Sequence, residues 1–140
     1  MVDSVQPTNK FMSTFITLYG INNIGKTYHA KLLTKRLKKL GKKAVYIKYP
    51  IYTQKPSGPF LNKILRSGKA QTMSEEELQL WFVLNRFQFQ PRLKKLLNSG
   101  TIVVAEDYVG TGIAWGSAKA KNSKNMMREL EKMNTFLVRE

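Results

Sequence analysis

The 140-residue chain has no cysteine, one histidine, and 9 acidic residues against 24 lysines and arginines. Without thiols it can form neither disulfides nor thiolate metal sites, which suits a reducing compartment. His29 alone, with no cysteine beside it, argues against a zinc site and reads as a packing or solvent-facing residue. Long apolar runs are also missing, and none approaches the roughly 18–20 residues of a membrane span. Met1 to Lys10 is polar with no apolar stretch, so no signal peptide is expected and the expected compartment is the cytoplasm.

Acid is scarce, and the formal charge is therefore +15. A surplus of that size attracts polyanions such as nucleotides, nucleic acid or anionic membrane. The basic residues are dispersed, many of them along one expected helix from Lys31 to Lys43. No aromatic–basic interleaving accompanies them, so a solvated lysine-rich face is the expected reading rather than a nucleic-acid footprint. The length suits one domain, and a hydrophobic content of 42% suffices for a core.

The apolar pattern alternates strands with helices. Thr14–Tyr19, Ala44–Ile47 and Thr101–Ala105 read as strands, the first of them buried. A helix is expected from Tyr28 to Leu40, stopped by Gly41, and a short one is expected around Phe60–Leu65. Ser74 and Glu77 form a capping box that opens a long helix, which Pro91 kinks or restarts before it ends at Leu97. The stretch after Thr111 reads as mostly helical, with Met126, Met127, Leu130 and Met133 on one side, as core or a dimer face. Residues 1–12 read as a flexible lead and 13–140 as one domain. The β-α-β-α-α-β-α order predicts an α/β fold with a parallel sheet covered by helices on both faces.

Residues 20–27 match G-x-x-x-x-G-K-[ST] without a gap, between an expected strand and an expected helix. This is the context of a P-loop, and it assigns ATP binding to Gly20, Ile21, Asn22, Asn23, Ile24, Gly25, Lys26 and Thr27. Gly20 permits the turn out of the strand, and Gly25 lets the backbone approach phosphate. Loop N–H groups and the helix N-terminus form an anion nest. Lys26 reaches the β- and γ-phosphates, and the Thr27 hydroxyl binds Mg²⁺. The third strand runs into Glu106 and Asp107, which supply the carboxylate that such a loop needs for Mg²⁺. Neighbouring side chains on a strand point opposite ways, so the sequence leaves open which one faces the metal.

With YGINNIGKT at 19–27, KYP at 48–50, LWFVLNRFQFQP at 80–91 and GTIVVAEDYVGTGIAWG at 100–116, the chain resembles the thymidylate kinase family over residues 15–117. The resemblance implies a three-layer P-loop fold and phosphorylation of dTMP to dTDP by ATP with Mg²⁺. It implies that Phe82 stacks on the thymine and Arg86 bonds its carbonyl edge. The i, i+4 spacing puts both on one helix face. Lys48 and Pro50 fall near the substrate phosphate. Tyr108, Thr111 and Gly112 fall along the monophosphate site, and Trp115 near the sugar. Lys26, Glu106 and Asp107 form the catalytic set, and the family often pairs as homodimers through long helices.

Several positions depart from the family. Asp107 stands where it has the Arg of Asp-Arg-Tyr, unless a one-residue slip sets Asp107 on the family Asp. Asn22 stands where an Asp is common, and Tyr19 where many members have Glu. The family's later strands, its arginine-bearing lid and its adenine loop have no counterpart segment, so the fold is expected to be incomplete at its C-terminal side. Two alternatives to dTMP phosphorylation follow. One is a deoxynucleoside kinase with Glu106 as the base for a 5′-hydroxyl. The other is a nucleotide-binding module without turnover.

Overall fold

The computed structural model describes residues 13–67 and 72–137. The expected lead at 1–12 lies outside them. Three parallel strands, β1 (Phe15–Leu18), β2 (Ala44–Lys48) and β3 (Ile102–Glu106), form a sheet in the order β1-β3-β2. The helices are α1 (Lys26–Lys39), α2 (Ser57–Arg66), α3 (Glu75–Asn98), α4 (Val109–Lys119) and α5 (Ser123–Leu137).

The central place of β3 fixes the burial pattern. Val103, Val104 and Ala105 are all fully buried, because β3 has a strand on each side and helices above and below. Val103 and Ala105 join the main core cluster with Ile47 of β2 and Val83, Phe89 and Leu93 of α3. The alternate residue Glu106 reaches Thr27 of α1, so α1 and α3 take opposite faces of the sheet. The three-layer arrangement follows. The expected buried β1 is only half-buried along its length, since among the described residues it pairs with β3 alone.

Helix ends carry the site. α3 is capped conventionally: Ser74 accepts from the Glu77 backbone N–H at 3.1 Å, and Glu75, Glu76 and Glu77 occupy the first turn. α1 has no side-chain cap and no acid in its first turn. It begins at Lys26 rather than the expected Tyr28, because Gly25, at φ 96, turns the chain early enough for Lys26 and Thr27 to be helical. Its positive end is left for an anion. α1 and α3 stop alike. Gly41 and Gly100 adopt positive φ, and paired backbone bonds (Lys42 N to Leu37 O, Gly41 N to Lys38 O; Thr101 N to Leu96 O, Gly100 N to Leu97 O) close the last turns.

α3 continues past Pro91 as one element, and its buried face runs on through Gln90 and Leu93. The expected one-sided stripe after Thr111 needs correction. The helical region after residue 108 breaks at 120–122 into α4 and α5. On α5, Met126 and Leu130 are buried one turn apart, whereas Met127 is 41% exposed, about 100° round the helix from its neighbour. Among the described residues no helix is long and apolar enough to cross a membrane.

The loop from β2 to α2 is fastened to α3 by Asn85, which is fully buried. It accepts from Ile51 N at 2.7 Å and donates to Ile51 O at 3.0 Å and Ser57 Oγ at 2.9 Å. Gly58 sits against this loop so closely that a Cβ there would overlap the carbonyls of Ile51 and Tyr52. A Cβ at Gly41 would meet nothing within 4 Å. Gly58→Ala is therefore expected to cost about 1–3 kcal/mol or more through backbone overpacking. Gly41→Ala is expected to cost only the roughly 1–2 kcal/mol of a left-handed residue. Urea titration of both variants checks the order.

Candidate functional site

A cleft of about 840 Å³ opens at the carboxyl end of the sheet. On one side it is lined by Asn22, Asn23, Gly25, Lys26 and Thr27 of the loop between β1 and α1. On the other it is lined by Phe82 and Arg86 of α3, with Tyr108, Thr111, Gly112 and Trp115 around α4. Lys48 and Pro50 at the end of β2, and Glu106 and Asp107 at the end of β3, complete it. Sheet geometry explains the convergence, since parallel strands deliver all their outgoing loops to one edge.

Glu106 is the hub. It is 3% exposed and takes hydrogen bonds from three side chains on two elements, α1 and β2. The Thr27 hydroxyl lies 2.9 and 2.8 Å from its two oxygens, Tyr46 OH donates to Oε2 at 2.6 Å, and Lys48 Nζ donates to Oε1 at 2.9 Å. Burial raises the Glu106 carboxyl. The bonds from Tyr46, Lys48 and Thr27, with the Lys48 charge, outweigh it and leave the group below its ordinary value. The Tyr46 hydroxyl is pushed up, first by burial and then by the carboxylate it bonds.

Asp107 also faces the cleft, although strand alternation would have sent it away. The strand ends at Glu106, and Asp107 takes a left-handed conformation at φ 61 that swings its side chain back. Thr111 donates to Asp107 Oδ1 at 2.9 Å, and Lys26 Nζ stands 3.8 Å from the same oxygen. Lys26 is folded over its own loop, donating to Gly20 O at 2.6 Å and Ile21 O at 3.0 Å. Both carboxylates therefore reach the cleft, and Glu106 is the one beside Thr27.

Ile21 and Ile24 are 68% and 61% exposed at the tip of the loop. Arg86 is 4% exposed, and its Nε and Nη2 donate to Asn134 Oδ1 at 3.2 and 2.9 Å. Burial draws its guanidinium down to about 10, so it remains a cation at neutral pH. Phe82 is half-buried at the cleft wall, and Trp115 is exposed at the rim with Lys119 Nζ 6.0 Å from its ring centroid. Tyr108 belongs more to the core than to the cleft. It is 7% exposed, packs on Phe15 and Tyr49, and lies 3.5 Å from Gln90 Oε1.

Sequence reasoning missed Tyr46, Gln79, Glu75 and Asn134. Tyr46 was findable, because it shares a strand face with Lys48. Gln79 and Glu75 extend the Phe82–Arg86 helix face by one and two turns toward its start. Asn134 comes from α5, and nothing in its local sequence points to Arg86.

The family model for thymidylate kinase matches residues 18–137. The chain belongs to the thymidylate kinase family. It is 30% identical over 106 residues to thymidylate kinase of Dictyostelium discoideum, covering 75% of this chain and 46% of that protein. It is 31% identical over 103 residues to that of African swine fever virus, covering 74% and 42%. The structure of thymidylate kinase from Candida albicans superposes with a TM-score of 0.74 at 25% identity, over 89% of this chain and 56% of that one. The chain thus spans about half the length of the relatives it matches.

The depressed Glu106 carboxyl gives a pH prediction. A carboxylate favoured by the fold stabilises it above the unfolded value of about 4.3, and that contribution fades as pH falls through the lower folded value. Glu106→Gln should be less stable than wild type by about 1–3 kcal/mol at pH 7, because Lys48 and Tyr46 lose their charged partner. The gap should narrow below about pH 4. Thermal unfolding of both proteins from pH 7 to 3 checks it.

Proposed function

We propose that the cleft transfers the γ-phosphoryl group of ATP to dTMP, giving dTDP and ADP. The observation that carries this reading is that a P-loop lysine and threonine share one cleft with the Phe82–Arg86 pair. A phosphate oxygen of dTMP attacks the γ-phosphorus as the bond from that phosphorus to the β–γ bridging oxygen breaks, and the electrons leave on ADP. The attacking oxygen is already anionic, so positioning and charge neutralisation suffice, without a strong base. Lys26 would leave its loop carbonyls for the phosphates, and Asn22, Asn23 and Gly25 line their path. Lys48 and Pro50 would border the dTMP phosphate. Phe82 and Arg86 would hold the base, with Thr111, Gly112 and Trp115 along the nucleoside.

Mg²⁺ fits the donor set. Thr27 and Glu106 offer hard oxygens in contact with each other, and Asp107 lies next along the chain. Such an ion takes one or two protein oxygens and otherwise phosphates and water. When bound, Mg²⁺ would neutralise charge on the phosphates.

The hydroxyl-phosphorylating alternative fits less well. The Glu106 carboxyl lies below its ordinary value, which makes it a weak base for a 5′-hydroxyl. The binding-only alternative draws on Asp107, an anion where the family carries a cation. ADP release measured with dTMP, dUMP and thymidine separates the three readings. ADP released with dTMP but not thymidine is expected, and the reverse order would overturn the proposal. Lys26→Ala should lower turnover roughly 10²–10³-fold. Tight nucleotide binding without ADP release would leave the binding-only reading standing.

A further inference from the structure

Gln79 sits on α3 three residues before Phe82 and seven before Arg86, so the three side chains leave the same helix face. It lines the cleft and is 2% exposed. Its amide nitrogen donates to Glu75 Oε1 at 2.8 Å, and Glu75 is in turn 3.7 Å from Lys119 Nζ. A carboxylate only accepts, so the NH₂ must face Glu75 and the carbonyl must face away. That carbonyl oxygen is buried and has no partner among the described residues. A buried acceptor left unpaired is costly, and natural proteins keep few of them without a use.

Two glycines of α4 frame the amide. A Cβ at Gly116 would lie 3.0 and 3.1 Å from Gln79 Cγ and Cδ, so only a bare backbone leaves room for its stem. A Cβ at Gly112 would lie 3.2 Å from Gln79 Oε1 and 3.4 and 3.5 Å from Arg86 Nη2 and Nη1. The bare backbone at Gly112 thus lets α4 come close to a point of the cleft lining where an acceptor and a set of donors meet. Arg86 gives one proton each from Nε and Nη2 to Asn134, which keeps the Nη1 protons and one Nη2 proton for a ligand.

We propose that Gln79 Oε1 accepts the ring N3–H of the pyrimidine held by Phe82 and Arg86, which makes Gln79 a specificity-determining residue for thymine and uracil over cytosine. This rests on reading the cleft as a dTMP site. Thymine and uracil present a carbonyl acceptor beside an N–H donor, matching Arg86 beside Gln79. Cytosine presents an amino donor beside a bare ring nitrogen, and would set donor against donor and acceptor against acceptor. The amide cannot turn over to suit it, because Glu75 holds the NH₂.

The test is calorimetric binding of dTMP, dCMP and N3-methyl-dTMP to wild type, Gln79→Met and Glu75→Gln, each first shown folded by circular dichroism. Methionine keeps the length and removes the acceptor. Gln79→Met should weaken dTMP about 5- to 30-fold, the range for one buried hydrogen bond. It should leave N3-methyl-dTMP within about 2-fold and narrow the preference over dCMP. Glu75→Gln frees the amide to rotate and should raise relative dCMP affinity while dTMP still binds. An unchanged dTMP-to-dCMP ratio in Gln79→Met overturns the inference alone. So does equal weakening of dTMP and N3-methyl-dTMP, the pattern of a residue that only braces Arg86. Wild type that binds no dTMP overturns both this inference and the reading beneath it.

Discussion

The joint between Thr27 and Glu106 ties the first turn of α1 to the end of the central strand. Everything in the cleft is placed relative to it. β3 lies between β1 and β2, so its last residue is the one point where the P-loop, the β2 exit and the loop into α4 all converge. Tyr46 and Lys48, two apart on β2, aim at the same carboxylate from the other side. One ionised group thereby fixes the spacing of two strands and a helix. It stays ionised because the donors around it outweigh the cost of its burial.

The two long helices divide the work according to how they begin. α3 satisfies its own N-terminus with Ser74 and three glutamates, so it needs nothing from a ligand there, and it presents side chains from its middle turns instead. α1 begins without side-chain cap or acid, and its first turn lines the cleft. Under the proposed function, the first would hold the base of the monophosphate and the second the phosphates of the triphosphate.

Much of this was legible in the residues. The P-loop spacing located the loop, and the apolar runs located all three strands. The Ser74 box and the glycine stop at Gly41 set helix ends, because capping chemistry is local. What escaped depended on partners distant in sequence. Half-burial of β1 follows from strand order, which apolarity along β1 does not encode. The start of α1 at Lys26 follows from the positive φ of Gly25, and a glycine only permits that conformation. Met127 was placed with Met126 by composition, although adjacent residues on a helix face different ways. The orientation of Asp107 could not be read from alternation, because alternation stops where the strand does.

Asp107 is a second carboxylate in the same cleft as Glu106. Two carboxylates close together are unfavourable unless their charge is offset. Here Thr111 and Lys26 both attend to Asp107 Oδ1. The left-handed backbone that carries it is a conformation aspartate tolerates better than most residues. The cleft lining still holds four cations, Lys26, Lys48, Arg86 and Lys119, against Glu75, Glu106 and Asp107. Two of those cations, Lys48 and Lys119, are paired to carboxylates from the cleft's own wall, and Arg86 is bonded to Asn134. Lys26 donates to two neutral carbonyls and stands 3.8 Å from a carboxylate. Under the proposed function it would exchange those carbonyls for phosphate oxygens, while Lys48 keeps its 2.9 Å bond to the nearly buried Glu106.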